Sequence, residues 1–277
     1  MAILENGFLK LEIDPAGATV KKLYADGVCV AQNGFVAGRF ANRIARAELP
    51  LNGKLYALAK NENENILHGG PGGFMTRQWE ETVCSDCEAE YRLVSEDGDQ
   101  GFPGRMEVTV RYALMGGTLR IGYEAVCDQD TVVNLTNHAF FNLNGVDTPL
   151  AGSHRVTIDA DSTLAVDDGL IPTGALDPVE GTRFDFRRGR VYEGNYDHCF
   201  VLNERPASVP AAAAEGESLK LEVFTDRPAM QLYNTERCFC METQAYPDAP
   251  HHPAFPSAVL KAGETFKTAT EYRFSRI

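Results

Sequence analysis

The sequence predicts an all-β protein built as a large antiparallel β-sandwich. Apolar and polar residues alternate with a period of two along much of the chain, as in strands that bury one face. Glycine-containing turns separate these runs, and amphipathic helical patterns are scarce. The chain has 277 residues, enough for one large all-β domain with a sizeable core.

Eight alternating runs are predicted strands. In chain order they are FLKLEI (8–13), KLYALA (54–59), EAEYRLV (88–94), RMEVTVRYAL (105–114), TLRIGYEAV (118–126), HRVTIDA (154–160), SLKLEVFT (218–225) and TFKTATEYRF (265–274). Met115-Gly116-Gly117-Thr118 joins two of them directly, so residues 105–127 are a predicted hairpin.

One low-complexity segment, PASVPAAAAEGES (206–218), lies near the last strands. Its Pro, Ser and Gly residues favour an exposed linker over a helix. No composition shift marks a domain boundary, and no repeat of fixed period occurs. We therefore expect residues 1–277 to form a single domain.

The charge and the termini restrict the partners. A net charge of −13 argues against nucleic acid and anionic membranes, which attract basic surfaces, and it is compatible with neutral substrates. The first residues enter an alternating strand rather than a signal peptide, and no apolar run is long enough to span a membrane. We expect a cytoplasmic protein.

Seven cysteines occur along the chain, an odd number in a protein too large to need disulfides for stability. Cys84 and Cys87 form a CxxC, and Cys238 and Cys240 form a CxC. The two pairs are far apart and lie within predicted strands without paired zinc-knuckle turns. We interpret them as buried, inert thiols and predict no metal site.

The segment NLTNHAFFNLNG (134–145) has the apolar body of a strand, but Asn137 and His138 interrupt it. Further polar residues suited to hydroxyl recognition occur in other segments. They are Asn42 and Arg43 in GRFANRIARAEL (38–49), His68 in NENENILHGGPGGF (61–74), Asp197 in YDHCFVL (196–202), Gln231 in MQLYNTE (230–236) and Glu242 in METQAYPDAPHHPAFPS (241–257).

Most of these residues also have a structural explanation. A histidine in a strand is commonly a hydrogen-bonded core residue, and His68 before two glycines can belong to a turn. Arg43 and Asp197 can form a salt bridge. Glu242 is harder to explain in this way, because a carboxylate at the end of an apolar strand is costly to bury without a partner.

In order along the chain, these segments resemble the aldose 1-epimerase (mutarotase) family from about residue 36 to the C terminus. The most specific are the TNH and ETQ-x-x-PDAP motifs. The resemblance implies a galactose mutarotase-like supersandwich that acts on free aldoses without a cofactor. It implies that Glu242 is the catalytic base and His138 the catalytic acid, with sugar-binding roles for Asn42, Arg43, His68, Asp197 and Gln231.

The chemistry of anomer interconversion agrees with these residue types. Opening a pyranose requires one group to take the proton of the anomeric hydroxyl while another gives a proton to the ring oxygen. A carboxylate and a protonated histidine suit these steps, because histidine has an unperturbed pKa of about 6.5. No electron moves and no group leaves, so the reaction requires no metal or other cofactor.

Four other functions stay open. A non-catalytic sugar-binding domain would keep the fold, and a phosphosugar epimerase would use cations such as Arg39, Arg43 or Arg77. A glycosidase would pair Asp197 with Glu242 across the scissile bond. A cupin-like metalloprotein would need clustered histidines, which are not adjacent in this sequence.

Two features depart from the family pattern. Little chain separates Gln231 from Glu242, so the preferred aldose stays open among glucose, galactose, xylose and arabinose. His251-His252 stands where a small polar residue is common, and we interpret it as loop filler or as an outer substrate contact. We expect a monomer or a weak homodimer.

Overall fold

The computed structural model describes residues 1–150, 152–192 and 194–277. In this part of the chain, regular structure consists of β-strands and four short 3-10 helices, at Ala45–Ala47, Phe74–Thr76, Asp99–Gly101 and Ala249–His251. The strands are β1 Ala2–Glu5, β2 Leu9–Asp14, β3 Thr19–Ala25, β4 Val28–Gly34, β5 Val36–Ala37, β6 Arg43–Ile44, β7 Glu48–Leu51, β8 Lys54–Ala57, β9 Ile66–Leu67, β10 Glu80–Cys84, β11 Glu88–Ser95, β12 Met106–Met115, β13 Thr118–Cys127, β14 Thr131–Val132, β15 Thr136–Asn137, β16 Phe140–Phe141, β17 Arg155–Ile158, β18 Ala160–Val166, β19 Pro172–Pro178, β20 Arg190–Val191, β21 Asp197–Leu202, β22 Ala212–Glu215, β23 Leu219–Thr225, β24 Ala229–Asn234, β25 Phe239–Gln244, β26 Val259–Leu260 and β27 Thr265–Arg276.

Most of these strands belong to two large antiparallel sheets. One has ten strands, in the order β1-β2-β3-β4-β16-β25-β24-β21-β18-β19. The other has nine, in the order β10-β11-β12-β13-β27-β23-β22-β17-β20. Alternating apolar side chains of both sheets, such as Leu11, Leu23, Val108 and Ile121, pack into one buried core. The predicted all-β class and the antiparallel sandwich are confirmed.

The predicted hairpin is also confirmed, since β12 pairs with β13 along its whole length and Met115 opposes Thr118. The predicted linker at 206–218 is wrong in its second half. Residues Ala212–Glu215 form β22 between β17 and β23, with Ala212 and Ala214 buried in the core. Its first three residues are all alanine and show no polar–apolar alternation, so the period-two pattern does not reveal this strand.

The predicted strand HRVTIDA is divided between the two sheets. Arg155–Ile158 pairs with β22 in the nine-stranded sheet, whereas Ala160 begins β18 in the ten-stranded sheet. The stretch around His138 is divided as well. Thr136–Asn137 pairs with β5, and Phe140–Phe141 pairs with β4 and β25. His138 therefore lies in the gap between two short strands.

Three neighbouring strands of the ten-stranded sheet, β21, β24 and β25, form the base of the polar site. Gln231 lies directly opposite Cys199 on one side and Glu242 on the other. In the same way, Tyr233 lies opposite Asp197 and Cys240. Because directly opposed residues and residues two apart share a face, all six side chains project from one face of the sheet.

Among the described residues, no helix has the length and apolar character needed to cross a membrane.

Candidate active site

The structure brings all seven predicted site residues to one cavity of about 370 Å³. The cavity lies over β21, β24 and β25. Its remaining polar residues lie in or directly beside the short strand pairs β6–β9 and β5–β15. Its lining consists of Phe35, Asn42, Arg43, Leu67, His68, His138, Phe140, Asp197, Gln231, Tyr233 and Glu242.

Glu242 is a nearly inaccessible carboxylate, with 2% of the residue exposed. Its Oε1 lies 3.5 Å from Nε2 of His138, and its Oε2 has no hydrogen-bond partner among the residues the structure describes. Burial raises the pKa of Glu242 to about 7; His138 and Arg43 oppose the rise, whereas Asp197 adds to it. Such a carboxyl can exchange a proton near neutral pH, as a general base must.

The raised pKa of Glu242 has a consequence for stability. A carboxyl whose pKa rises from 4.5 in the unfolded chain to about 7 in the fold contributes stability below pH 4.5 that is lost as the pH rises through about 7. Glu242→Gln cannot ionise, so its free energy of unfolding should exceed that of the wild type by about 3 kcal/mol at pH 8. Urea unfolding at about pH 8 and pH 4 tests this, with near equality expected at the lower pH. A variant less stable than the wild type at pH 8 would contradict it.

Aromatic rings pack against the imidazole of His138. The ring centroid lies 4.8 Å from that of Phe35, which is stacked on it, and 4.9 Å from that of Phe140. Tyr233 approaches edge-on at 5.9 Å. In the plane of the ring, Nε2 faces Glu242, and Nδ1 lies 3.5 Å from Sγ of Cys240.

His68 is held in one tautomer by the backbone. Its Nδ1 accepts a hydrogen bond from the backbone N–H of Asn42, at 3.1 Å. Burial, with smaller contributions from His138 and Arg43, lowers the pKa of His68 to about 3, so the ring stays neutral. Because Nδ1 is the acceptor, the single ring hydrogen must be on Nε2. His68 is therefore a hydrogen-bond donor and cannot act as a general acid near neutral pH.

A charged network forms another part of the wall. The guanidinium of Arg43 donates two hydrogen bonds to Glu62, at 2.7 and 2.8 Å, and lies 3.6 Å from Asp197. Asp197 also accepts a hydrogen bond of 2.6 Å from the amide of Gln231. Arg43 and Asp197 thus form the salt bridge that was the structural alternative to a role in the site, and this salt bridge lies at the cavity.

His68, His138 and Glu242 also have the residue types of a metal site, and their potential ligand atoms lie within 4.8 Å of one another. The histidines that are separate in the sequence are thus neighbours in the fold. The tautomer of His68 does not fit a metal, however. A metal at Nε2 would require the ring hydrogen to move to Nδ1, where it would face the N–H of Asn42.

Other residues considered from the sequence lie elsewhere. Arg39 is buried and donates to backbone carbonyls, including those of Pro103 and Ser95, whereas Arg77 pairs with Asp99. His251 bonds Asp248 at 2.6 Å and does not line the cavity. Among the described cysteines, none forms a disulfide. Cys238 and Cys240 are buried as expected, but Cys84 is exposed and Cys87 half-buried, so the interpretation as buried thiols is wrong for that pair.

Several residues of the site were not predicted. Glu62 holds Arg43, the aromatic rings of Phe35, Phe140 and Tyr233 enclose His138, and Cys240 contacts its Nδ1. Their positions depend on strand register and on contacts between distant segments. The spacing Cys240-Met241-Glu242 in a strand was the one local signal that Cys240 shares a face with Glu242.

Comparisons with known proteins agree with this geometry. The aldose 1-epimerase family model matches residues 2–273, so the similarity begins well before residue 36. Galactose mutarotase of Bos taurus is 40% identical over 269 residues, which cover 87% of this chain and 78% of the relative. Aldose 1-epimerase of Escherichia coli K12 is 36% identical over 271 residues, with coverages of 86% and 78%. Among solved structures, the GalM/aldose epimerase homologue from C. elegans has a TM-score of 0.91 at 26% identity, covering 100% of this chain and 98% of that one.

Proposed function

The chain belongs to the aldose 1-epimerase family, and we propose that Glu242 and His138 perform its reaction, the interconversion of the α and β anomers of a free aldose. The observation that carries this assignment is the pair itself. A carboxylate whose pKa is raised to about 7 faces a histidine nitrogen at 3.5 Å, inside a cavity of about 370 Å³.

Ring opening begins with Glu242 ionised and His138 protonated. Glu242 takes the proton of the anomeric hydroxyl, and the oxygen of that hydroxyl becomes the carbonyl oxygen of the open aldehyde. The bond between the anomeric carbon and the ring oxygen breaks, and Nε2 of the protonated His138 gives its proton to that oxygen. Each transfer keeps charge from building up on the sugar, and positioned groups of this kind typically contribute about 100- to 10,000-fold each.

Ring closure is the reverse after a rotation. The aldehyde turns about the bond to its neighbouring carbon, so that the hydroxyl attacks its other face. The attacking hydroxyl returns its proton to His138, and Glu242 returns its proton to the carbonyl oxygen. Both residues end as they began, and a substrate bound against both of them needs no further reactant.

The remaining polar residues orient the sugar. His68 donates from Nε2, and the paired charges of Arg43 and Asp197 offer donors and acceptors to neighbouring hydroxyls, with Asn42 and Gln231 beside them. The rings of Phe35 and Phe140 supply the apolar surface on which a sugar ring can pack.

A phosphosugar is a poorer fit than a neutral aldose. Arg43 is the one arginine or lysine among the described residues that line the cavity, and Glu62 and Asp197 already neutralise it. A glycosidase is also less well supported, because Asp197 is engaged by Arg43 and Gln231 and is not a free acid beside the carboxylate of Glu242.

Polarimetry tests the proposed function. Freshly dissolved α-glucose, α-galactose, α-xylose and α-arabinose should each be followed to anomeric equilibrium with and without the protein. Acceleration of at least one aldose supports the proposal and identifies the preferred sugar. Sugar binding without acceleration would indicate a non-catalytic binding domain, and release of product from aryl glycosides would indicate a glycosidase.

We also propose that residues 1–277 act as one cytoplasmic domain, as a monomer or weak homodimer that binds neither nucleic acid nor membrane. One family model spans residues 2–273, which supports the single domain. The seven cysteines are all unpaired, as in a reducing compartment. The net charge of −13 repels phosphate backbones.

A further inference from the structure

Cys240 is a buried thiol that the reaction described above does not use. It is 0% exposed and lies on β25, two residues before Glu242 and directly opposite Tyr233. Its Sγ is 3.5 Å from Nδ1 of His138, and both residues are buried. Among the described residues, Cys240 is the one polar partner of that nitrogen.

The aromatic contacts alone cannot orient this imidazole. Phe35 and Phe140 pack against the ring with small interplanar angles, and a ring held by such face contacts can still turn by 180° about the Cβ–Cγ bond. Such a turn would exchange the positions of nitrogen and carbon atoms and remove Nε2 from Glu242. Only polar contacts in the plane of the ring distinguish the two orientations. Glu242 makes one with Nε2, and Cys240 makes the other with Nδ1.

A neutral thiol suits a ring that gains and loses a proton. Burial, with smaller contributions from Glu242, Cys238 and Asp197, raises the pKa of Cys240 well above its usual range, so the sulfur stays protonated. While Nε2 exchanges its proton, Nδ1 keeps its hydrogen, and the neutral sulfur can accept a weak hydrogen bond from Nδ1–H in both states of the ring. A carboxylate would also accept this bond, but its charge would favour the protonated ring.

We propose that Cys240 is a positioning residue for catalysis: its thiol satisfies Nδ1 of His138 in each protonation state and keeps Nε2 as the nitrogen that exchanges its proton with the sugar. This inference rests on the proposed function. The other titratable groups that face the imidazole are Glu242 on β25, Tyr233 on β24 and His68 after β9.

The test compares Cys240→Ala, Cys240→Ser and Cys238→Ala. Cys238 is a matched control, because it is a buried thiol two residues away that contacts the carbonyl of Val146 instead of His138. The values of kcat and KM are measured from about pH 5 to pH 9 on the preferred aldose. In parallel, ¹⁵N NMR of the imidazole nitrogens follows the protonation and tautomer of His138 without substrate.

Cys240→Ala should lower kcat about tenfold with little change in KM, because Nδ1 loses its partner. The protonated ring is then less stable, so the alkaline limb of the pH profile should move to lower pH. The ¹⁵N signals of His138 should change in the same variant. Cys240→Ser keeps a side chain that can accept a hydrogen bond from Nδ1–H. This variant should recover most of kcat and the wild-type position of the alkaline limb. Cys238→Ala should match the wild type.

Two results would overturn the inference while leaving the proposed function intact. One is an active wild type whose Cys240→Ala variant has unchanged kcat, pH profile and ¹⁵N signals. The other is an equal loss of kcat in Cys240→Ala and Cys238→Ala, which would indicate a packing effect. An inactive wild type would instead refute the proposed function, and the ¹⁵N signals would still report whether Cys240 determines the state of the ring.

Discussion

Replacing Glu242 with glutamine is expected to lower the rate of anomer interconversion by at least about 100-fold while the fold stays intact. Glutamine has nearly the same size and can still form hydrogen bonds, but it has no oxygen that can take a proton near neutral pH. The loss should appear mainly in kcat, because proton removal from the anomeric hydroxyl occurs in the transition state.

The stability of Glu242→Gln shows whether a loss of activity comes from the chemistry or from a damaged fold. Glu242→Gln should be more stable than the wild type at about pH 8, because ionising the buried carboxylate is costly. Low activity together with higher stability would separate a chemical role from a structural one. Near-normal turnover in the folded variant would show that Glu242 is not the base.

Replacing His138 with asparagine is expected to lower kcat by about 100-fold or more with a modest change in KM. The proton given to the ring oxygen matters most in the transition state, so binding in the ground state should change little. The pH profile gives a second readout. With the acid removed, the alkaline limb should flatten, whereas the acidic limb near pH 7 from Glu242 should persist.

His68→Asn is the matched comparison for His138→Asn. His68 is a neutral donor at Nε2, so its loss removes a contact present in the bound sugar. We expect KM to rise as well as kcat to fall, with both limbs of the pH profile retained. If His68→Asn flattened the alkaline limb and His138→Asn spared it, the two roles would be exchanged.

The fold class could be predicted from the sequence because strand alternation is a local property. The predicted hairpin of β12 and β13 needs only two such runs and a Gly-Gly turn. The division of HRVTIDA at Asp159 could not be predicted in this way. A chain that crosses from one sheet to the other can keep the same alternation on both sides of the crossing.

For the site, the sequence motifs could identify residues but not the contacts between their side chains. Motif order was enough to select the seven polar residues that line the cavity. It could not show that Glu62 holds Arg43, or that the backbone of Asn42 determines the tautomer of His68. These contacts depend on the pairing of β6 with β9, which brings residues from two loops together.

The most direct test of the central claim is an NMR exchange measurement on an equilibrated aldose. Magnetisation transfer between the anomeric protons of the α and β forms reports interconversion without any net reaction. The wild-type protein at neutral pH should produce strong exchange at catalytic concentrations, and Glu242→Gln at the same concentration should leave only the spontaneous rate. Exchange that was absent with the folded wild type, or that persisted with Glu242→Gln, would contradict the assignment of Glu242 and His138 as the base and acid.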